Sequence, residues 1–359
     1  MSGMRKSNFE LLRLICMFMV LVLHTNFLSI GAPVYGETSN VEFFVRNLIE
    51  VVPFIAVNVF LLISGYFSIR PSVKSVANLL FCCFFYSVGI RLGYILLPKE
   101  GGASLFDFWS SFLFISNSVW FVADYLMLMI FAPMLNAFVE KNSKRTCLGT
   151  LVLMLIFAFY FGLFKGKLVE YISGFSFVTF ILLYMIGRVL AQNREWIQTH
   201  IKPYMVLVGY IIGVLGFYVM VIIAGYKGHV FYYYLDHLGT SRIFTYTSPF
   251  VILSAVCFFW LFAQKEFFSN RVNKLAKSTF AILLIHSNPV AIIFYSRYFR
   301  FLYESLSFPL YLLAMVGSCI AFFALSIMID QVRLFIYNHG VFSCVERIEK
   351  NLIFNNETV

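Results

Sequence analysis

The chain has 359 residues, of which 61% are hydrophobic and 12% charged, with 44 Phe, 21 Tyr and a formal net charge of +10. A soluble domain carries about twice that share of charge, so composition excludes a water-soluble globular fold and points to a lipid-facing surface with interfacial aromatics. The basic residues are scattered over short loops, which excludes a nucleic-acid surface, and the seven Cys form no C-x-x-C, so neither a metal site nor a disulfide framework is indicated.

The first apolar run, residues 9–30, is long enough to cross a bilayer at about 1.5 Å per residue. It is too long for a signal-peptide core and lacks an A-x-A-like cleavage site, so it is expected to stay in the mature protein. It carries Arg13 and, eleven residues on, His24. Eleven helical steps turn the chain by about 1100°, so the two side chains share one face, roughly 16 Å apart along the axis. Ionisable groups at membrane depth cost several kcal/mol unless they face a partner or a wet cavity. Arg13 offers a planar fork to phosphate oxygens, or it pairs with Glu10, or it snorkels as an anchor. His24 is either a functional imidazole or a structurally satisfied one.

The second apolar run, 42–67, opens with Glu42, Arg46 and Glu50, spaced four apart on one helical face. A charge ladder explains Glu42 and Arg46. Glu50 is about 12 Å deeper than Glu42, level with His24, where a carboxylate would raise the imidazole's basicity and fix its tautomer. Pairing with Arg46 explains Glu50 equally well. The run ends in NVFLLISGYFSIR, where the Ser64-Gly65-Tyr66 step lets the backbone leave the helix and Arg70 and Lys74 follow. That corner is either a seat for a nucleotide phosphate or a plain helix exit.

A third run covers 75–97. The shorter aromatic segment 104–117 is expected to lie in the interface or re-enter the membrane. The run 119–139 begins with Trp120, Phe121, Asp124 and Tyr125; Trp120 suits an interfacial belt and Asp124 can reach water. Further runs fall at 147–164, 174–192, 204–224 and 246–263. The connection before the last of these holds Tyr232, Tyr233, Tyr234, Asp236 and His237, suited to sugar stacking or to a Tyr-rich interface. The run 276–296 contains LLIHSNP, with His286 deep in the membrane and in need of a polar partner, in a substrate pocket or between helices. The run 308–330 is the tenth, and 331–359 follows as an amphipathic tail.

The expected fold is therefore all-α, a polytopic bundle of about ten transmembrane helices. One set of alternate loops holds 16 Lys and Arg and the other holds seven, which puts both termini in the cytoplasm. Residues 1–330 form one membrane domain, and 331–359 a cytoplasmic tail.

NFELLRLICMFMVLVLH resembles the start of the acyltransferase-3 family of bacterial membrane O-acyltransferases, whose hallmark is Arg, ten residues, then His. NVFLLISGYF resembles the family's second block, and VWFVADYLMLMIFAPMLN and FAILLIHSNP are similar to later ones. The resemblance implies an enzyme of the bacterial inner membrane that moves an acyl group, usually acetyl from cytoplasmic acetyl-CoA, to a hydroxyl of a cell-surface or lipid-linked glycan. It implies no bound cofactor; acyl-CoA, the glycan acceptor and membrane lipids are the partners. His24 and Arg13 match the family's functional pair, and the reading by helical depth adds Glu50 to His24 as a catalytic residue. Arg13, Ser64, Gly65, Tyr66, Arg70 and Lys74 are the acyl-CoA side, and Trp120, Asp124 and His286 the acceptor side. His24 either deprotonates the acceptor or carries the acyl group itself. A glycan or lipid-linked sugar transporter without acyl chemistry is the alternative.

Overall fold

The computed structural model describes residues 6–96, 120–163, 174–226, 244–342, 345–347 and 349. The segment 104–117, the Tyr232–Tyr234 cluster, Asp236, His237 and the end of the tail lie outside the described residues.

Among the described residues, each of the ten apolar runs contains helix. The first gives α1 (Ser7–Thr25) and the short α2 (Phe27–Ile30). The second gives α3 (Asn40–Val51), a 3-10 turn at Pro53–Ile55, and α4 (Ala56–Tyr66). Then come α5 (Val73–Leu96), α6 (Trp120–Lys141), α7 (Lys144–Leu163), α8 (Phe177–Gln192), the seven-residue α9 (Arg194–His200), α10 (Pro203–Tyr226) and α11 (Pro249–Ala263). The chain closes with α12 (Asn270–Leu275), α13 (Thr279–His286), α14 (Ala291–Ser305) and α15 (Phe308–Ile336). Among the described residues, six helical stretches are long and apolar enough to cross a membrane, and α8 and α11 are shorter apolar helices.

The run read as the ninth span is bent. Its two halves, Asn270–His286 and Ala291–Ser305, meet at 83°. The break falls on Ser287, Asn288 and Pro289, where the proline ring removes a donor and the Asn288 side chain accepts from the Val290 N–H at 3.0 Å in a local turn. Residues 331–341, expected to begin a separate tail, instead continue α15 and end in a π-helical turn, Tyr337–Val341.

Local chemistry starts the helices. Ser39 accepts from the Glu42 N–H at 3.2 Å to cap α3, and Ser176 caps α8 through Thr179. Ser72 and Ser75 bond each other's N–H groups at the start of α5. Burial then sorts the helices. In α1 and the α3–α4 span 56% and 67% of the apolar window is buried, against 17–22% in α5, α10 and α15, so the first two spans form the centre and the others face lipid.

The tightest crossing is α4 on α8. A methyl group on Gly65 would stand 2.1 Å from the Tyr184 carbonyl oxygen, and one on Gly187 2.4 Å from that of Leu62. Small residues let two helix backbones meet at this distance, where dispersion must hold them without a hydrophobic drive.

Side-chain ties gather the loops on two faces. On one, Glu266 accepts from Lys6 at 2.5 Å and from Arg194 at 2.6 Å, Arg188 meets Glu140, and the Tyr337 hydroxyl reaches the Lys74 carbonyl. The two hydrogen bonds from Lys6 and Arg194 hold the exposed Glu266 carboxyl below the ordinary carboxylate range. On the opposite face Arg300 donates to the Ser29 carbonyl, Tyr218 to that of Phe44, and Tyr311 to that of Thr25. The loop set rich in Lys and Arg is the one gathered on the first, basic face.

Candidate functional site

A cavity of about 780 Å³ follows α1 through the bundle, a volume typical of a small-molecule site, about 300–1,000 Å³. Arg13, Met17, Val20 and His24 line it from α1, and Leu28 extends the stripe into α2. Their spacing of three and four is one helical face, so Arg13 and His24 share a stripe as their separation predicts. From Arg13 to His24 this face extends about 16 Å at the helical rise.

At the basic face Arg13, Arg70, Lys277 and Arg333 line the cavity together with Ser75 and Asn78. Arg13 donates to Glu10 at 2.7 Å and remains half-buried. The turn that presents Arg70 is fixed from α6 and α8. Tyr184 accepts from the Ile69 N–H at 3.1 Å and donates to the Asn136 side chain at 2.7 Å, while Asn136 donates to the Ile69 carbonyl at 2.9 Å. Ser68, just before, holds φ of 61°, an uncommon conformation for a residue with a Cβ. Arg333 is almost fully buried. Asp330 binds it at two points, 2.6 and 3.0 Å, and in turn accepts from the Tyr86 hydroxyl at 2.8 Å. Arg333 also donates to Asn78 at 3.3 Å. The Asp330 carboxylate balances the Arg333 charge and fixes the guanidinium at the cavity wall.

At the other end the wall is aromatic. Trp120 meets Phe175 at 4.8 Å, Phe175 meets Tyr246 at 4.7 Å, and Tyr246 stacks on Phe54 at 4.8 Å between ring centres. All four line the cavity, with Phe121 and Tyr125 beside them.

His24 stands between these ends. Its Nδ1 is 3.0 Å from Nε2 of His286, across from α1 to the last residue of α13. His286 is fully buried and does not line the cavity, whereas His24 is half-buried and does. His286 Nδ1 lies 2.7 Å from the Ile282 carbonyl, and the Ser287 hydroxyl lies 3.2 Å from Nε2. His286 therefore sits behind His24 and not, as expected from sequence, on a substrate surface.

Of the two readings of Glu50, its bonds fit the junction shared with Arg46 and not a contact with His24. The ring nitrogen of His24 turns to His286, while the fully buried Glu50 carboxylate accepts from the Asn26 amide at 3.0 Å and from the Phe27 N–H at 3.3 Å. It satisfies donors freed where α1 breaks at Asn26. Arg46 joins the same junction, donating to Asn26 at 3.2 Å, to Glu42 at 3.2 Å and to the Gly31 carbonyl. The junction joins α1 to α3.

The remaining expected residues divide. Ser64 lines the cavity, donates to the Phe60 carbonyl at 2.9 Å and lies 3.4 Å from the Tyr125 hydroxyl. Gly65 belongs to the α4–α8 crossing, and Tyr66 packs on Phe9 and Phe259 at 5.4 and 5.2 Å; neither lines the cavity. Lys74 places its ammonium 3.9 Å over the Phe342 ring, away from the cavity wall. Trp120 lines the cavity; Asp124, one turn on, does not.

Lys277 and Arg333 were counted in sequence only as loop charges. The signal for Arg333 is Asp330, an acid three residues earlier at the end of an apolar helix. Phe175 and Tyr246 carried no local signal, because each sits at the mouth of a helix like any interfacial aromatic.

Among known proteins, no curated protein and no solved structure matches the chain significantly. The model of the acyltransferase domain family, acyltransferase-3, matches residues 6–329. That match covers every described residue of the cavity except Arg333. With its membrane-spanning all-α bundle and near-complete coverage, the chain belongs to the acyltransferase-3 family of membrane acyltransferases.

Proposed function

We propose that this membrane acyltransferase moves an acyl group, acetyl in the simplest case, from acyl-CoA to a hydroxyl of a cell-surface or lipid-linked glycan. The observation that carries the reading is a single cavity with four cationic side chains at one end, aromatic rings at the other and His24 between them. Phosphates of a CoA donor suit Arg13, Arg70, Lys277 and Arg333, with the pantetheine arm directed along Met17 and Val20 toward His24. Sugar rings suit the aromatic end, where apolar faces take the C–H surface of the ring. In the proposed orientation the basic face is cytoplasmic, and the membrane is the bacterial inner membrane.

The chemistry needs one base. His24 accepts the proton of the acceptor hydroxyl as that oxygen bonds the thioester carbonyl carbon. The C–S bond then breaks, and the CoA thiolate takes the proton back from His24 as free thiol. Atoms and charge balance without a metal or an outside proton. Because donor and acceptor share one cavity, direct transfer needs no acyl-histidine relay. The Ser64 and Tyr125 hydroxyls also lie on the wall, with Ser64 donating to the Phe60 carbonyl.

The test is turnover by purified protein given acetyl-CoA and a membrane glycan extract. The reading expects acceptor-dependent release of CoA thiol and a gain of one acetyl mass on the glycan. Glycan movement across vesicles without thiol release would favour a transporter and overturn it.

A further inference from the structure

We infer that His286 is a positioning residue that holds His24 in one tautomer, the one whose free lone pair is on Nε2. This rests on the reading of His24 as the base. The argument follows from which atoms can donate. The Ile282 carbonyl oxygen can only accept, so the hydrogen on His286 lies on Nδ1, 2.7 Å away. His286 is fully buried, and a second proton would leave an imidazolium whose described polar contacts are a carbonyl, a hydroxyl and another imidazole. It is therefore neutral, and its Nε2 is an acceptor. That atom faces His24 Nδ1 at 3.0 Å and the Ser287 hydroxyl at 3.2 Å, so both of these donate to it. His24 then carries its hydrogen on Nδ1, and Nε2 is left as the basic nitrogen of a side chain that lines the cavity.

The device is built from the bend of the ninth run. Ile282 and His286 are one helical turn apart at the end of α13, and the chain leaves the helix at Ser287. Tyr295 of α14 closes the other side, with its ring 5.8 Å from His286 and its hydroxyl on the Leu21 carbonyl of α1 at 2.8 Å. His286 thus does for His24 what a buried carboxylate does in a catalytic triad, but without a charge. A neutral acceptor orients the ring without placing an anion beside it.

The experiment compares wild type, His286→Gln and His286→Leu in detergent, with acetyl-CoA turnover and ¹⁵N-imidazole NMR as readouts. Gln offers a carbonyl oxygen to His24 Nδ1 and Leu offers nothing. The expected result is a loss in kcat of about 10²-fold or more in His286→Leu, of the size seen when a catalytic His loses its orienting partner. KM for acetyl-CoA stays within about twofold, and His286→Gln recovers most of kcat. In wild type the His24 signal shows a protonated Nδ1 and a bare Nε2. A His24 signal with the hydrogen on Nε2 overturns the inference. So does equal loss in the Gln and Leu variants, which would make His286 a proton carrier. If His286→Leu does not fold, the wild-type spectrum and His286→Gln decide. If wild type uses no acyl-CoA, the proposed function fails, yet the spectrum still reports whether His286 sets the tautomer.

Discussion

Replacing His24 with Gln keeps a hydrogen-bonding side chain beside His286 and removes the capacity to take up a proton. His24→Gln is expected to fold with an unchanged Tm and to lose turnover by about 10²–10⁴-fold. Near-normal thiol release from the folded variant would remove His24 from the mechanism. Arg13→Ala is expected to raise KM for acyl-CoA more than it lowers kcat, and Arg13→Lys to recover part of the loss, because an ammonium lacks the planar fork. Steady-state kinetics against donor concentration checks this. The Arg13–His24 stripe was legible in the sequence because both residues lie on one unbroken helix, where spacing alone fixes the shared face. Glu50 was not. Helical rise gives depth but not which way a side chain turns once the chain passes to another helix, and the break of α1 at Asn26 created donors that the carboxylate caps. Lys277 and Arg333 were hidden for a related reason, since a loop charge and a cavity charge read alike until α13 and α15 are placed.

At the scale of elements, the S-G-Y step is two things at once. Ser64 faces the cavity while Gly65 lets α4 meet α8. Gly65→Ala is expected to lower stability by about 1–3 kcal/mol through overpacking, because the atom it meets is backbone. Ser64→Ala is expected to leave Tm nearly unchanged. Thermal unfolding in detergent separates the two, and an unshifted Tm for Gly65→Ala would place the helices further apart than described. All ten apolar runs were legible as helix from composition and length. The 83° bend was not, although its cause lies in view at Pro289. A proline after a polar pair marks a possible break, but a kinked span and a sharp corner have the same local sequence.

For the whole molecule, alternate loops gather on two faces, and the basic set shares one of them. A single cysteine at the exposed Lys144 is expected to label only from the cytoplasmic side, and one at the exposed Glu37 only from outside, in a Cys-depleted background. Labelling at Lys144 from intact cells by an impermeant reagent would reverse the orientation. On the basic face Glu266 ties the start of α1 to α9 through Lys6 and Arg194. Its carboxyl is held below the ordinary range, so the tie contributes fully at neutral pH and is lost as pH falls through that lowered value. Glu266→Gln should therefore lower Tm slightly at pH 7 and match wild type in strong acid, a small effect because the pair is exposed.

The wall between Arg13 and His24 bears on bioenergetics. A wet polar passage through a coupling membrane would dissipate the proton gradient that the cell maintains. Along α1 the stretch between the two polar residues is surfaced by Met17 and Val20, a thioether and an isopropyl group that offer water no strong partner. In the proposed reaction hydroxyl and thioester enter neutral, and ester and thiol leave neutral, so a turnover would move no net charge across the field. Proteoliposomes of this protein are expected to hold a pH gradient, and their acyl transfer rate to be indifferent to an imposed voltage. Met17→Ser, which puts a hydroxyl into the insulating stretch, is the variant in which proton leak should first appear.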